Sequence, residues 1–362
     1  MANTVTDFLV GRHELGRTRL AASPLAPAED GEIVLSVDAF AFTANNITYG
    51  VFGDGMQYWD FYPAPVEWGR IPVWGFADVI DSRCPGISVG ERLWGYWPMS
   101  THSVLVPSSV TAAGLHDASP HRSHLHAFYN TYARTAADPA YDRNREDLQM
   151  LLRVLFFTGF LIEDFLREQA FFGARSVVIA SASSKTALSL AFELQRNDAP
   201  CEVIGLTSPS HVAFVDELGC YDRVLTYDSV ASLASSTPTV FVDMAGNGRV
   251  VRDIHVHFGA NLQYSCMVGG THWNSIAMGQ ELPGVAPTLF FAPTQVAKRV
   301  QDWGTVGLQR RMADAWGEFV GPASSWIRVV RSRGTAAVER VYRDTLEGRA
   351  LPSQGHVLTL HD

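Results

Sequence analysis

The sequence predicts an α/β protein built on a doubly wound parallel sheet, and three observations carry that expectation. Residues 173–187 (GARSVVIASASSKTA) read as a buried strand, a tight turn of small residues and a helix start. Apolar runs of strand length then alternate with helical segments at 201–207, 223–228, 240–248 and 261–270. Such alternation gives a parallel sheet covered by helices on both faces, with a ligand site beyond the strands' C-terminal ends at a switch in strand order. The length of 362 residues is that of two domains, and a hydrophobic content of 47% fills two cores.

The turn is the first element with chemistry in it. In a dinucleotide-binding strand–turn–helix, glycines let the backbone turn, approach the pyrophosphate and pack the helix on the strand, while helix N–H groups face the phosphates. Here Ser181, Ser184 and Ala187 stand at those three positions. Their small side chains still admit close approach, and Ser183, Ser184 and Thr186 add hydroxyl donors beside the Lys185 ammonium. The stretch reads as a phosphate cradle without its glycines, or as an ordinary small and polar strand-to-helix turn. The next strand, 201–207 (CEVIGLT), ends where the ribose is read. No acid stands there. Thr207, Ser208, Ser210 and His211 offer donors and leave room for a 2′-phosphate, which favours NADP over NAD; the same run also serves as a helix cap. Tyr264, in the strand at 261–270, is either a donor to a cofactor phosphate or a core ring.

The remaining elements follow from composition. Residues 136–145 read as a surface connection. Residues 148–162 are apolar but include Arg153 and run into Glu163 and Asp164. At 15 residues they fall short of the roughly 20 that span a bilayer, so they read as a buried helix ahead of the sheet. Between Tyr49 and Trp97 lie ten aromatic residues interleaved with Gly and Pro: Phe52, Tyr58, Trp59, Phe61, Tyr62, Trp68, Trp74, Phe76, Trp94 and Tyr96. They suit a cleft for an apolar or planar ligand and equally the filled interior of a β-barrel-like domain, with two or three rings left for a site. Residues 290–293 (FFAP) read as a buried strand ended by proline, with Thr294 capping a helix that carries Lys298, Arg299, Arg310 and Arg311 on its solvated side.

The order of these elements, with further pieces at both ends, resembles the medium-chain dehydrogenase/reductase superfamily on its zinc-independent quinone-oxidoreductase and enoyl-reductase side. Residues 31–40 (GEIVLSVDAF) resemble the opening strand of that family's GroES-like domain, and 44–49 (ANNITY) its substrate-side turn. Residues 71–80 (IPVWGFADVI) and 89–97 (VGERLWGYW) resemble its paired central segments, and 337–342 with 355–360 its closing helix and strand. The resemblance implies a GroES-like β-rich domain over 1–145, a Rossmann domain over 146–321 and a return over 322–362 that completes the first domain. It also implies a homodimer, and it places Tyr49 in the substrate-side turn, from which Asn45 and Asn46 orient substrate or cofactor. Gly269, Gly270 and His272 fall in the loop that reaches the nicotinamide, and Gln295 and Lys298 in a segment that reaches the cofactor or a dimer partner. Tyr49 and His272 are the candidate proton donors, since phenols and imidazoles donate while neutral.

The departures bear on metal. Zinc-dependent relatives use a Cys, a His-Glu pair and a later Cys or Asp, whereas this chain has Phe76-Ala77 where His-Glu falls. None of Cys84, Cys201, Cys220 and Cys266 sits at the matching position, so no zinc is expected. The histidines at 121–126 and 255–257 lack a third ligand at helical spacing and read as exposed or locally paired. A net charge of −9 without a basic run argues against nucleic acid and anionic membranes. Scattered cysteines and no secretory leader suggest the cytoplasm. The functional expectation is a zinc-independent, NADP(H)-linked reductase of an apolar α,β-unsaturated or simple carbonyl compound. Lyase or isomerase chemistry with a tightly held nicotinamide, and a non-catalytic nucleotide-sensing role, are the alternatives.

Overall fold

The computed structural model describes residues 4–269 and 282–362. The chain divides into two compact units, Met1–Leu151 joined by Arg328–Asp362, and Leu152–Ile327.

The first unit is built almost entirely of strands. β1 (Thr4–Gly11) pairs antiparallel with β2 (Thr18–Pro24) and, after β3 (Ile33–Phe42), with the short β4 (Trp68–Gly69). β5 (Pro72–Ser82), β6 (Arg92–Pro98), β7 (His102–Leu105), β8 (Pro107–Ser108), β9 (Gly114–Asp117) and β10 (Thr131–Arg134) follow. Between β3 and β4 the segment expected as a substrate-side turn is a helix, α1 (Ala44–Val51). Its start is fixed by a reciprocal cap in which the Asn46 carboxamide accepts from the Thr43 N–H at 2.8 Å. Asn46 also donates to the Pro72 carbonyl at 3.1 Å, which ties α1 to β5 and commits that side chain to the backbone.

The second unit takes up most of α2 (Glu146–Glu168), then alternates β11 (Ser176–Ala180), α3 (Lys185–Arg196), β12 (Glu202–Thr207), α4 (Val212–Glu217) and β13 (Arg223–Thr226). After a 3-10 stretch come β14 (Thr239–Asp243), α5 (Gly248–Phe258), β15 (Leu262–Met267), β16 (Thr288–Leu289) and α6 (Ala292–Trp326). The six strands lie in the order β13-β12-β11-β14-β15-β16, every pair parallel, with the direction of winding reversing at β11. This is the doubly wound sheet the alternation predicts. α2 meets α3 at Gly159, where a Cβ would stand 2.7 Å from the Leu190 nitrogen, so a side chain there would force the helices apart.

Two expectations near α6 are corrected. The buried strand at 290–293 is instead the exposed two-residue β16 followed by half-buried Phe290 and Phe291. Pro293 stands in the first turn of the helix, where its missing N–H is harmless, so the helix begins before Thr294 and Thr294 is not its cap. Arg299 is not on a solvated face. It is buried, donating to Asp164 at 2.6 Å, Glu168 at 3.1 Å and Asp302 at 2.7 Å, because Asp164 and Glu168 are spaced one turn apart on α2.

The chain then returns to the first unit as β17 (Arg328–Arg333), α7 (Thr335–Leu346) and β18 (Gln354–Thr359). They extend a mixed sheet ordered β17-β18-β3-β5-β6-β10-β9-β8, with β7 also on β3. Phe8, Phe40, Phe42, Trp97, Tyr132 and Tyr342 fill the core of this unit, each of order 2 kcal/mol of burial. Among the described residues no helix is long and apolar enough to cross a membrane.

Candidate functional site

In the second unit the parallel register brings four strand ends level, with Ala180 opposite Leu206 and Asp243, and Asp243 opposite Met267. The turn leaving β11 is the tightest feature of this edge. Ser181 has φ of +55°, a left-handed conformation that glycine adopts without strain and serine at about 1 kcal/mol. The Ser184 N–H donates to the Ser181 carbonyl at 2.8 Å, and the Ser184 hydroxyl oxygen accepts from the Ala187 N–H at 3.3 Å as the N-cap of α3. Lys185 and Thr186 open that helix, both half-buried. Burial disfavours the Lys185 ammonium and brings its pKa down to about 8.

Neighbouring strand ends close around the turn. The Ser181 hydroxyl and the Tyr227 hydroxyl lie 3.4 Å apart, Tyr221 donates to the Ala182 carbonyl at 2.9 Å, and Ser183 shares a hydrogen bond of 3.2 Å with His211 Nδ1. Ser208 and Ser210 pair with each other at 3.2 Å. Thr207 is fully buried, and its hydroxyl has no partner among the described residues. Beyond it Ser208 and His211 are half-buried and Ser210 is exposed, whereas Thr207 is enclosed. On the other side of β11, the buried Asp243 carboxylate accepts from the Ala245 and Gly246 N–H groups at 3.1 Å; burial outweighs these bonds and pushes its pKa up to about 6. Gly269 packs on this loop, since a Cβ there would stand 2.5 Å from the Met244 carbonyl oxygen.

The structure does not bring every expected residue here. Tyr264 stands opposite Val240, three residues short of the strand ends, and its ring stacks on Phe172 at 4.3 Å. That is a packing role. Gln295 donates to Asp164 at 2.7 Å and Lys298 pairs with Glu168, so α2 takes both. Gly270 and His272 lie outside the described residues.

In the first unit Tyr49 projects from α1 into packed rings, with Tyr58 at 4.7 Å and Tyr96 at 5.4 Å. Trp74 Nε1 donates to the Tyr49 hydroxyl at 3.2 Å. Burial holds that phenol well above its usual range, against hydrogen bonds from Trp74 and Asn45 that pull it down, so it stays protonated. Tyr129 closes the cluster, 5.0 Å from Tyr96 and with its hydroxyl 3.2 Å from that of Tyr58. Most of the ten aromatics between Tyr49 and Trp97 are buried and serve as core.

Sequence reasoning missed three residues. Tyr227 is legible only as the polar residue following β13 on the same edge as the turn. Tyr129 sits in a segment without periodicity. Arg122, inside the histidine run 121–126, is buried, donating to Asp117 at 2.5 Å and the Tyr132 hydroxyl at 2.8 Å, with its guanidinium 4.9 Å from the Tyr62 ring centre. Asp117 is also buried and accepts from the Ser119 hydroxyl at 2.7 Å, so the ion pair is fully enclosed and pins the loop that carries Tyr129. The histidines are locally paired: His255 with Ser265 at 2.9 Å and His124 with Asp60 at 3.2 Å. No group of three or more His, Cys, Asp or Glu among the described residues is placed to hold a metal ion.

Solved structures share this architecture. CurA from Vibrio vulnificus in complex with NADPH is 11% identical with a TM-score of 0.64, covering 99% of each chain. The yhdH oxidoreductase from Salmonella enterica in complex with NADP is 13% identical with a TM-score of 0.54, covering 98% of this chain and 99% of that one. The mitochondrial 2-enoyl thioester reductase Etr1p/Etr2p heterodimer from Candida tropicalis is 13% identical with a TM-score of 0.56, at the same coverage. The likeness is one of fold: a Rossmann sheet with a GroES-like β-rich unit. No curated protein matches the sequence. A family model matches residues 40–351, and the chain belongs to that family, described as "Protein of unknown function (DUF2855)".

Proposed function

We propose that the protein is an NADP(H)-dependent oxidoreductase that reduces an apolar α,β-unsaturated or simple carbonyl compound without zinc. The observation that carries this reading is the left-handed Ser181 turn at the reversal of strand order, followed by the capped N-terminus of α3 with Lys185 in its first turn. A backbone that accepts the strain of a left-handed serine there keeps the tight geometry glycine otherwise supplies. The fold relatives that bind NADPH or NADP support the choice of cofactor.

The residues present fit such a group. Ser183, Ser184, Lys185 and Thr186 would hold its phosphates, and Ser208 with His211 its ribose end, where no acid competes with a 2′-phosphate. When bound, the nicotinamide supplies the hydride. The chain's part is to orient and to hold a proton. Tyr49 is the donor we assign, a phenol kept neutral by burial and aligned by the indole N–H of Trp74. The zinc-free part of the reading is supported by Phe76 and Ala77, which stand where the resemblance puts the His-Glu pair and are both buried in β5.

Replacing Lys185 by Ala tests the cradle. The expected result is at least a tenfold loss of NADPH affinity in a fluorescence titration, with a far-ultraviolet spectrum like that of the parent. Unchanged affinity would remove Lys185 from the phosphate contacts.

A further inference from the structure

His211 stands five residues beyond Leu206, and Ser183 three beyond Ala180, on adjacent parallel strands whose ends are level. Their hydrogen bond of 3.2 Å fixes the imidazole by Nδ1. Nε2 has no partner among the described residues, so it is the ring nitrogen left for a ligand. Ser208, half-buried, and Ser210, exposed, add hydroxyls on the same segment. No ion pair among the described residues involves residues 207–211, and Thr207 turns its hydroxyl into the core. The position that reads the ribose thus holds one titratable side chain and no carboxylate.

We propose that His211, in its imidazolium form, is the residue that selects a 2′-phosphorylated dinucleotide over its unphosphorylated counterpart, so that cofactor selectivity at this edge is set by pH. This rests on the reading of the turn as a nucleotide cradle and adds to it the residue that discriminates and the condition under which it does. The protonated ring presents N–H donors on both nitrogens, one to Ser183 and one to the phosphate. The neutral ring bound to Ser183 carries a single proton and no charge. Burial lowers the pKa of the free imidazole, so the charged form is an acid-side state that a bound phosphate anion would draw upward. The groups around it are few. The turn packed against it brings the Ser183 and Ser184 hydroxyls and then Lys185, and its own helix carries Asp216 and Glu217 more than a turn further on.

The test is the ratio of affinities between the parent protein and His211→Gln, measured for NADP⁺ and NAD⁺ by titration calorimetry at pH 5.5 and pH 8.5. Taking the ratio cancels the ionisation of the 2′-phosphate and of Lys185, which both proteins share. The proposal expects NADP⁺ to bind about tenfold more tightly to the parent at pH 5.5, equally to both at pH 8.5, and NAD⁺ equally at both pH values. A ratio for NADP⁺ that is the same at both pH values, or a matching change for NAD⁺, overturns the role of His211 and leaves the cradle standing. Binding of neither dinucleotide to either protein overturns the cradle and this proposal with it.

Discussion

At Tyr49 one side chain combines two demands that pull apart. It is buried among Tyr58, Trp74 and Tyr96, which keeps the phenol protonated far above neutral pH, and its oxygen accepts from Trp74 Nε1, which leaves its own proton to be given away. Tyr49→Phe keeps the ring and its packing and removes only the hydroxyl. The expected outcome is a fall in turnover of about 100-fold with NADPH affinity within twofold of the parent. Steady-state rates and a binding titration on the same preparation check this, and a parent-like rate would make Tyr49 a wall residue.

At the scale of elements, the crossing of α2 and α3 carries a built-in pH response. One turn beyond Gly159 and Ser189, where the helices touch, stand Glu163 and Glu193, both buried. Each is paired with an arginine on its own helix, Glu163 with Arg167 at 2.6 Å and Glu193 with Arg196 at 3.0 Å. Burial pushes the Glu193 carboxyl up to about 7 despite Arg196, with Glu163 and Glu318 adding to the rise. A carboxyl whose pKa is higher in the folded than in the unfolded chain favours folding while it is protonated. Its contribution is therefore present below about pH 4.5 and is lost as pH rises through about 7, a change of up to about 3 kcal/mol. Glu193→Gln should raise the unfolding free energy at pH 8 by about 1–3 kcal/mol and flatten its dependence between pH 5 and 8 in urea titrations. A pH slope equal to the parent's would show that Glu193 is ionised throughout.

Over the whole molecule, what was legible in the sequence is what depends on local pattern. The strands of the second unit announce themselves as short apolar runs between helices, and the turn at 181–184 is readable because small residues at a strand-to-helix junction have a geometric meaning. What was not legible depends on residues far apart in sequence meeting in space. Arg122 becomes a buried ion only through Asp117, Tyr62 and Tyr132, and Arg299 leaves its expected solvated face only because Asp164 and Glu168 wait on α2. Segment 290–294 is ambiguous for a local reason: a proline that can end a strand also starts a helix when it stands in the first turn, as Pro293 does. Tyr264 lies three residues below the strand edge, where its ring stacks on Phe172, a neighbour from before β11 that no local pattern announces.

The central claim is that the second unit holds a nicotinamide dinucleotide on a turn without glycines. A fluorescence titration of the purified protein with NADPH and NADH, preceded by denaturation to release cofactor carried through purification, tests it most directly. Saturable binding with NADPH preferred is the predicted result. No binding of either, with none carried over, would contradict it and leave a reductase fold without its cofactor.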